Sequence, residues 1–579
     1  MTGGKFLVEE VSADQIFIPE EFGENERAMA EVARGFVERE VVPRTEAIEA
    51  AEGALMPELM KRAGELGLLM LEVPEEHGGL GLGEKISTWI SEIIAEGNAS
   101  FAITLTGHMG IGTLPVLYSG NPGAKKQYIS SLISGEKIGC FALTEHQYGS
   151  DALSAKTTAT PSADGRGYVI TGTKQFTTNA GFSGLYTVLA QVPGKGLTVF
   201  LLEGSYPGVS TGKEEKKMGL KGSSTRSLIL DQVGVPAENV LGEVGKGHVV
   251  VLNALNLGRI KVGACCTGSA RTLIRESLSY AQERRQFGKP IASFGLIQQK
   301  LARMAIQLFA VESILYRTAG VVEEGVSRLG KGNSYDTRVL QAIGEFAAEC
   351  AMVKVKTSET LDFIVDEAVQ IFGGYGFIED YPVARAYRDA RVSRIFEGTN
   401  EINRLTIMDW LYRLDHKGQL PLTMKAKGVS ERGISSDPRG EIWSAKNVFL
   451  ALWALLQERY GEDLQGEQEL LAMLADLAIE IYAAESADLR SRKIASRSAG
   501  ETASLAGLLA CLCRLHLAEA VRSMVPRFLA ALMQNEDSFS KLLAFFEKSC
   551  SPSSANAVRL EREVASRLLK AGHYPFPAF

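Results

Sequence analysis

The hydrophobic period of this chain changes twice, and that order of periods limits the fold more than any other feature. From about residue 24 to 135 apolar residues recur at helical spacing. ERAMAEVARGFVEREVV runs as an amphipathic helix to Pro43, which should stop it, and LMPELMKRAGELGLL repeats the pattern. Between about 140 and 240 strands and turns take over. Asp164-Gly165 precedes GYVITG, and Pro193-Gly194-Lys195-Gly196 separates LYTVLAQV from LTVFLL, so both predict hairpins. Helical spacing then returns: Ile297, Leu301, Met304, Leu308, Val311 and Leu315 alternate steps of four and three, one buried face. A polar Gly/Pro/Ser-bearing stretch at 415–440 reads as a loop or linker, and 441–579 is helical again. The expected fold is mainly α with a central β domain. Its expected parts are a helical domain at 24–138, a β domain at 139–243, a helical domain at 244–414, a linker at 415–440 and a helical extension at 441–579.

Composition narrows the function. A chain of 579 residues is too long for one core. Its net charge of −7 gives no basic footprint, so no nucleic-acid partner is expected. No stretch approaches the roughly 18 uninterrupted apolar residues of a membrane span. The acidic start, MTGGKFLVEEVSADQ, resembles neither a secretory signal nor a transit peptide. Seven cysteines and seven histidines show no zinc-site spacing, so no metal and a reduced, cytoplasmic setting are expected.

Five segments combine residues that can do chemistry. FALTEHQYGSD (141–151) places small and hydroxyl residues beside a glycine, which lets a backbone approach a flat ligand; an ordinary loop would explain it as well. TGTKQFTTNAG (171–181) sets an aromatic and hydroxyls after a strand, suited to a ring system, or simply a packed strand end. In YAQERRQFGK (280–289), a guanidinium, an amide and an aromatic could hold a diphosphate or adenine, or be solvated surface. QIFGGYGF (370–377) could be a ligand turn or a helix C-cap. In RIFEGTNEINR (394–404), Thr399 is placed to N-cap a helix and Glu397 precedes it; the helix dipole would favour an ionised carboxylate, as a resting general base needs, or Glu397 would merely support the terminus.

Taken in order with NVLGEVGKG, FGLIQQKLARM and VPEEHGGLGLG, these segments resemble the acyl-CoA dehydrogenase family from about 24 to 412. MGLKGSST and the long C-terminal extension look most like its very-long-chain branch. The resemblance implies a helical domain, a β-barrel-like domain and a four-helix domain with FAD at their junction. It implies that Phe141, Leu143 and Thr144 approach the flavin, that Ser150 meets flavin or acyl-CoA, and that Phe176 and Thr178 border the ring. Arg284, Gln286, Phe287, Gln370 and Gly374 would contact the FAD of a neighbouring subunit, while Thr399 and Glu401 contact their own. Glu397 would be the base that takes the α-proton of a fatty acyl thioester, its backbone N–H helping to hold the thioester carbonyl. Gly398 and Arg259 would border the substrate. Some branches carry the base near the segment LNLGR instead, but Asn256, Leu257 and Gly258 offer no carboxylate here.

The resemblance further implies electron-transferring flavoprotein as acceptor, a role in fatty acid β-oxidation and, from the extension, a homodimer. It also implies weak peripheral membrane contact through 415–440, where Lys417, Lys425, Lys427, Arg432 and Arg439 only modestly outnumber Asp415, Glu431 and Asp437. The glycine-dense run Thr106–Gly112 either leaves room for a long acyl chain or packs helices closely. Five positions depart from the family: His146 stands for the usual Pro, Gln147-Tyr148 for a small pair, Phe176 for the commoner Trp, and Gly295 for a frequent Gln, a change the very-long-chain branch shares. An acyl-CoA oxidase and a non-catalytic assembly protein on the same fold remain alternatives.

Overall fold

The structure, a computed structural model, describes residues 2–329, 335–432, 439–532, 543–544, 546 and 555–577. Helices Glu24–Phe36, Leu55–Glu65, Gly83–Gly97, Ala99–Gly107 and Pro122–Ile133 form the first helical body. The first of these widens into a π-helical turn at Val37–Val41, so the α-helix ends before Pro43 rather than at it. The β region comprises β1 (Gly139–Ala142), β2 (Thr158–Pro161), β3 (Gly167–Thr178), β4 (Leu185–Val192), β5 (Gly196–Glu203), β6 (Val209–Thr211), β7 (Thr225–Pro236) and β8 (Val240–Leu241). They form one sheet in the order β6-β7-β3-β2-β4-β5-β8, with β1 parallel to β4. Both expected hairpins are present: β2 and β3 pair antiparallel around Asp164-Gly165, and β4 and β5 around Pro193–Gly196. Ile170, Val188, Phe200, Leu228 and Val233 give this sheet its own small core.

Helices Gly247–Glu283, Gly295–Arg328, Ala347–Phe372 and Asn400–His416 form the second helical body. Leu301, Met304, Leu308, Val311 and Leu315 are fully or nearly fully buried, as their spacing predicts. Among the described residues four helical stretches are apolar and long enough to cross a membrane, a property the absence of long unbroken apolar runs had hidden. In three of them more than four-fifths of the apolar window is buried, so protein and not lipid accounts for their composition.

The segment 415–440 differs from the expected loop. The preceding helix continues to His416, and Leu422–Arg432 forms another helix. Leu422, Ala426 and Val429 are buried at helical spacing, which the lysines and glycine between them obscured, and Trp453 Nε1 donates to Thr423 Oγ1 at 3.2 Å. Residues 433–438, Asp437 among them, and the side chains of Glu431 and Arg432 lie outside the described residues.

In the extension, helices Gln468–Arg497, Glu501–Leu532 and Ala557–Ala571 pack against the Gly295–Arg328 helix, and Glu441–Tyr460 packs on the first two of them. Gly295 lies beside Ala557–Ala571, where a Cβ would be in ordinary contact, 3.7 Å from Arg562, and nothing in the structure explains its lack of a side chain. Buried ions tie the layers together. Arg490 of the extension reaches Glu20 at 2.6 Å and Glu312 of the catalytic body at 2.9 Å, and Arg317 reaches Glu485 at 3.0 Å. Arg490→Ala would leave two buried carboxylates short of their cation. We expect it to cost about 3–5 kcal/mol, measured by denaturant unfolding; a loss below about 1 kcal/mol would show that the network is not a structural tie.

Candidate active site

Glu397 and Gly398 occupy consecutive left-handed positions, with φ of 55° and 81°. For a glutamate this is an uncommon backbone, and such strain persists only where the surroundings over-determine it. Three helices supply that support. Arg259 Nε of the Gly247–Glu283 helix donates to Glu397 O at 3.3 Å, and Lys354 Nζ of the Ala347–Phe372 helix donates to Gly398 O at 2.7 Å. Asn403 Nδ2 reaches the carbonyls of Glu397, Gly398 and Thr399 at 3.3, 2.8 and 3.0 Å. Thr399 caps the following helix, its Oγ1 accepting from Ile402 N at 3.3 Å.

The turn aims the Glu397 carboxylate across the Gly247–Glu283 helix. A Cβ on Gly258 would lie 2.7 Å from Glu397 Oε2, so the missing side chain makes the seat for the carboxylate. Oε2 is buried with no hydrogen-bond partner among the described residues. Burial pushes this carboxyl up to about 7, with Arg259 and Lys354 partly offsetting the rise. The helix-dipole argument from sequence therefore understates desolvation: before any substrate binds, the group is poised near neutrality rather than firmly ionised.

Around the β sheet a second arrangement forms. Glu145 accepts from Lys174 Nζ at 2.8 Å, from Thr157 Oγ1 at 2.6 Å and from the N–H groups of Lys156 and Thr157 at 2.7 and 2.9 Å. Burial opposes its charge, but these partners win and hold it down to about 2. Lys174 also donates to Leu143 O at 3.2 Å, and Gln175 N donates to Thr144 O at 2.8 Å. The segment carrying Phe141, Leu143 and Thr144 is thus locked to β3. The β3–β7 register slips between Lys174 and Thr177, a bulge that puts Phe176 at φ 54° with 62% of its surface exposed. A bulge re-aims a side chain, and here it presents an aromatic face beside the Thr144 segment. Thr178 and Asn179 then meet the helix Ala99–Gly107, where Asn179 Nδ2 donates to Thr104 O at 3.0 Å. Ser150, His146 and Gln147 lie on the exposed part of the loop.

Both arrangements converge on the Gly247–Glu283 helix. Lys261, one turn beyond Gly258, lies against Gly110, and Cys265 lies 3.7 Å from Thr106. His108 between them is neutral, pushed down to about 4 by burial; it accepts from Gly139 N–H at Nδ1 and lies 3.0 Å from Leu132 O through Nε2. A Cβ on Gly107 or Gly110 would meet nothing closer than 3.5 Å, whereas on Gly112 it would lie 2.7 Å from the Gly139 backbone. The run therefore leaves space at two glycines and packs closely at the third. Farther along the same helix a cavity opens among Ile103, Cys265, Ser269, Thr272, Leu273 and Leu361. At 1.5 Å per residue it extends from about 10 to about 21 Å beyond Gly258.

Arg284, Gln286, Phe287, Gln370 and Gly374 gather elsewhere. Tyr280 stacks on Phe372 with ring centroids 4.0 Å apart, and the Arg284 guanidinium lies 5.3 Å from the Tyr375 ring centre. This joins the two segments on one outer face, roughly 37 Å along the helix from Gly258. They do not share the Glu397 site of their own chain. Glu401 is exposed at the start of the Asn400–His416 helix. Among the described residues no cluster of metal-ligating side chains occurs. Sequence reasoning missed Lys354, Asn403 and the Glu145–Lys174 pair. A lysine on the apolar helix AMVKVKTSE was the available signal for the first.

Family profiles described as acyl-CoA dehydrogenase N-terminal, middle and C-terminal domains match residues 23–136, 140–233 and 245–412. A second acyl-CoA dehydrogenase C-terminal domain profile matches 444–543. A "probable acyl-CoA dehydrogenase" of Bacillus subtilis (strain 168) is 42% identical over 99% of this chain and 98% of its own length. The mitochondrial very long-chain specific acyl-CoA dehydrogenase of Bos taurus is 34% identical over 82% of this chain and 76% of its own. The crystal structure of an acyl-CoA dehydrogenase complexed with FAD from Bacillus anthracis superposes with a TM-score of 0.96 at 41% identity, covering 99% of this chain and 100% of that one. With nearly the whole length and the C-terminal extension matched, the chain belongs to the acyl-CoA dehydrogenase family.

Proposed function

We propose that this FAD-dependent acyl-CoA dehydrogenase converts long-chain fatty acyl-CoA to the trans-2-enoyl thioester, as a step of fatty acid β-oxidation, with Glu397 as its base. The Glu397 carboxylate carries the reading: it is buried, unpaired at Oε2 and seated over Gly258. An α-proton of a thioester is too weakly acidic for a carboxylate unless the developing enolate is stabilised. The N–H of Glu397, in a turn whose carbonyls are all bound elsewhere, is the donor this chain offers. Glu397 takes the α-proton, and its raised position near neutrality suits it to the task. Phe141, Leu143, Thr144, Phe176 and Thr178 would border the cofactor's ring, and bound FAD supplies the acceptor for the β-hydride. The cavity beyond Cys265, lying in line with Gly258 along one helix, supports a long acyl tail.

Anaerobic titration of the flavin with acyl-CoAs of graded length tests base and substrate together. Wild type should bleach best with long chains, about C12 and above by family analogy. Glu397→Gln should keep FAD and lose at least about 10²–10⁴-fold in rate. A best response to butyryl-CoA would refute the chain length, and near-normal bleaching of Glu397→Gln would refute the base. Slow reoxidation by oxygen and fast reoxidation by electron-transferring flavoprotein would separate a dehydrogenase from an oxidase.

The pH dependence follows from the same carboxylate. Only the deprotonated form accepts a proton, so kcat/KM should rise with pH through an acid limb near 7. A limb near the ordinary carboxylate value of about 4.3 would contradict the desolvated site.

A homodimer is proposed on the outer face described above. Phe287 and Phe377 are 91% and 87% exposed there, an apolar patch of the kind a partner surface covers. A second copy would cover it and bring Arg284, Gln286 and Gln370 to that copy's cofactor. Light scattering at several concentrations should give a dimer; a persistent monomer or tetramer would refute it.

A further inference from the structure

We propose that Lys354 is a positioning residue for the reaction: with Asn403 it holds the left-handed Glu397-Gly398 turn in the arrangement that aims the carboxylate across Gly258. The inference rests on Glu397 being the base. Lys354 is fully buried, and the hydrogen-bond partners of its Nζ are Gly398 O and Asn400 Oδ1, each at 2.7 Å. Both are uncharged. Burying an ammonium without a carboxylate in contact is costly, so a stabilising role alone accounts poorly for a lysine here. Asn400 is itself oriented by donating to Ser358 Oγ at 3.1 Å and Glu359 Oε1 at 3.0 Å, and Arg404 holds Glu359 at 2.8 Å. A continuous polar rod thus runs from the surface to the carbonyl next to the base, ending on the peptide that must not flip.

After Arg259, the same ammonium is the second charge that opposes the effect of burial at Glu397. The other groups around this pair are Arg259 and Cys266 on the Gly247–Glu283 helix, Cys350 and Glu359 on the Ala347–Phe372 helix, and Glu401 on the Asn400–His416 helix. Burial pushes both thiols above their ordinary range, so neither changes charge near neutrality. Burial also draws Lys354 down to about 8, which leaves it mostly charged at the midpoint of the acid limb of Glu397.

The test is the pH profile of FAD-loaded Lys354→Met and Lys354→Arg beside Glu397→Gln. Removing the cation raises the base's pKa, so in Lys354→Met the acid limb should move up by about one unit. Loosening the turn should lower kcat by about 10–100-fold at the plateau, with FAD content kept. Lys354→Arg keeps the charge and changes the reach, so its limb should stay in place while kcat falls. A Lys354→Met enzyme with an unmoved limb and kcat within about twofold of wild type would overturn the inference. If that variant loses FAD, Lys354→Arg decides: wild-type kcat or a shifted limb overturns it. Activity in Glu397→Gln would overturn the base reading and this inference together, whereas an inert Glu397→Gln with an unaffected Lys354→Met overturns this inference alone.

Discussion

One helix is obliged to touch everything. Gly247–Glu283 begins against β5, where a Cβ on Gly247 would lie 2.9 Å from Leu197 O, and its Gly268 packs where a Cβ would lie 2.0 Å from Glu92 O. Between those points it seats the Glu397 carboxylate at Gly258 and sends Lys261 to Glu72 and Glu84 at 2.7 and 3.0 Å. Near its end Arg271 meets Glu92 at 2.5 Å and also binds Glu312 and the carbonyl of Phe576. A helix enclosed on so many sides cannot carry bulk throughout, and the stretch GACCTGSA from 263 to 270 is the result. Close backbone approach there lets the N-terminal helices, the Glu397-Gly398 turn and the cavity beyond Cys265 share one helix as their reference.

Much of this was legible in local pattern. The two hairpins announced themselves through Asp164-Gly165 and Pro193–Gly196, because left-handed turn positions need those residues. The Gly295–Arg328 face and the Thr399 cap were equally readable, since both depend on near neighbours. What stayed hidden depended on distant ones. Leu422, Ala426 and Val429 only make a helix worth forming because Glu441–Tyr460 lies against it. Glu145 and Lys174 stood in quoted segments, yet nothing local says that 29 residues apart they form a buried pair. The elevation of Glu397 likewise comes from burial by other helices, which the dipole of its own helix could not reveal.

The extension and the amino-terminal segment meet through charge as well as apolar packing. Lys493 reaches Glu21 at 2.7 Å beside the Arg490–Glu20 pair, and Phe6 stacks obliquely on Tyr482 with centroids 4.7 Å apart. The amino-terminal segment therefore lies against the layer that covers the Gly295–Arg328 helix. Buried ion pairs contribute little net stability over apolar replacements, but they accept only one registry. Their value here is that the added helices can dock in a single way.

The seat at Gly258 couples two positions far apart in sequence. Residues 258 and 397 compete for one volume: a side chain on the helix and a carboxylate from the turn cannot occupy it together. Bulk introduced at 258 would therefore displace the Glu397 carboxylate without touching the turn that carries it, and shortening residue 397 would leave the helix facing a void.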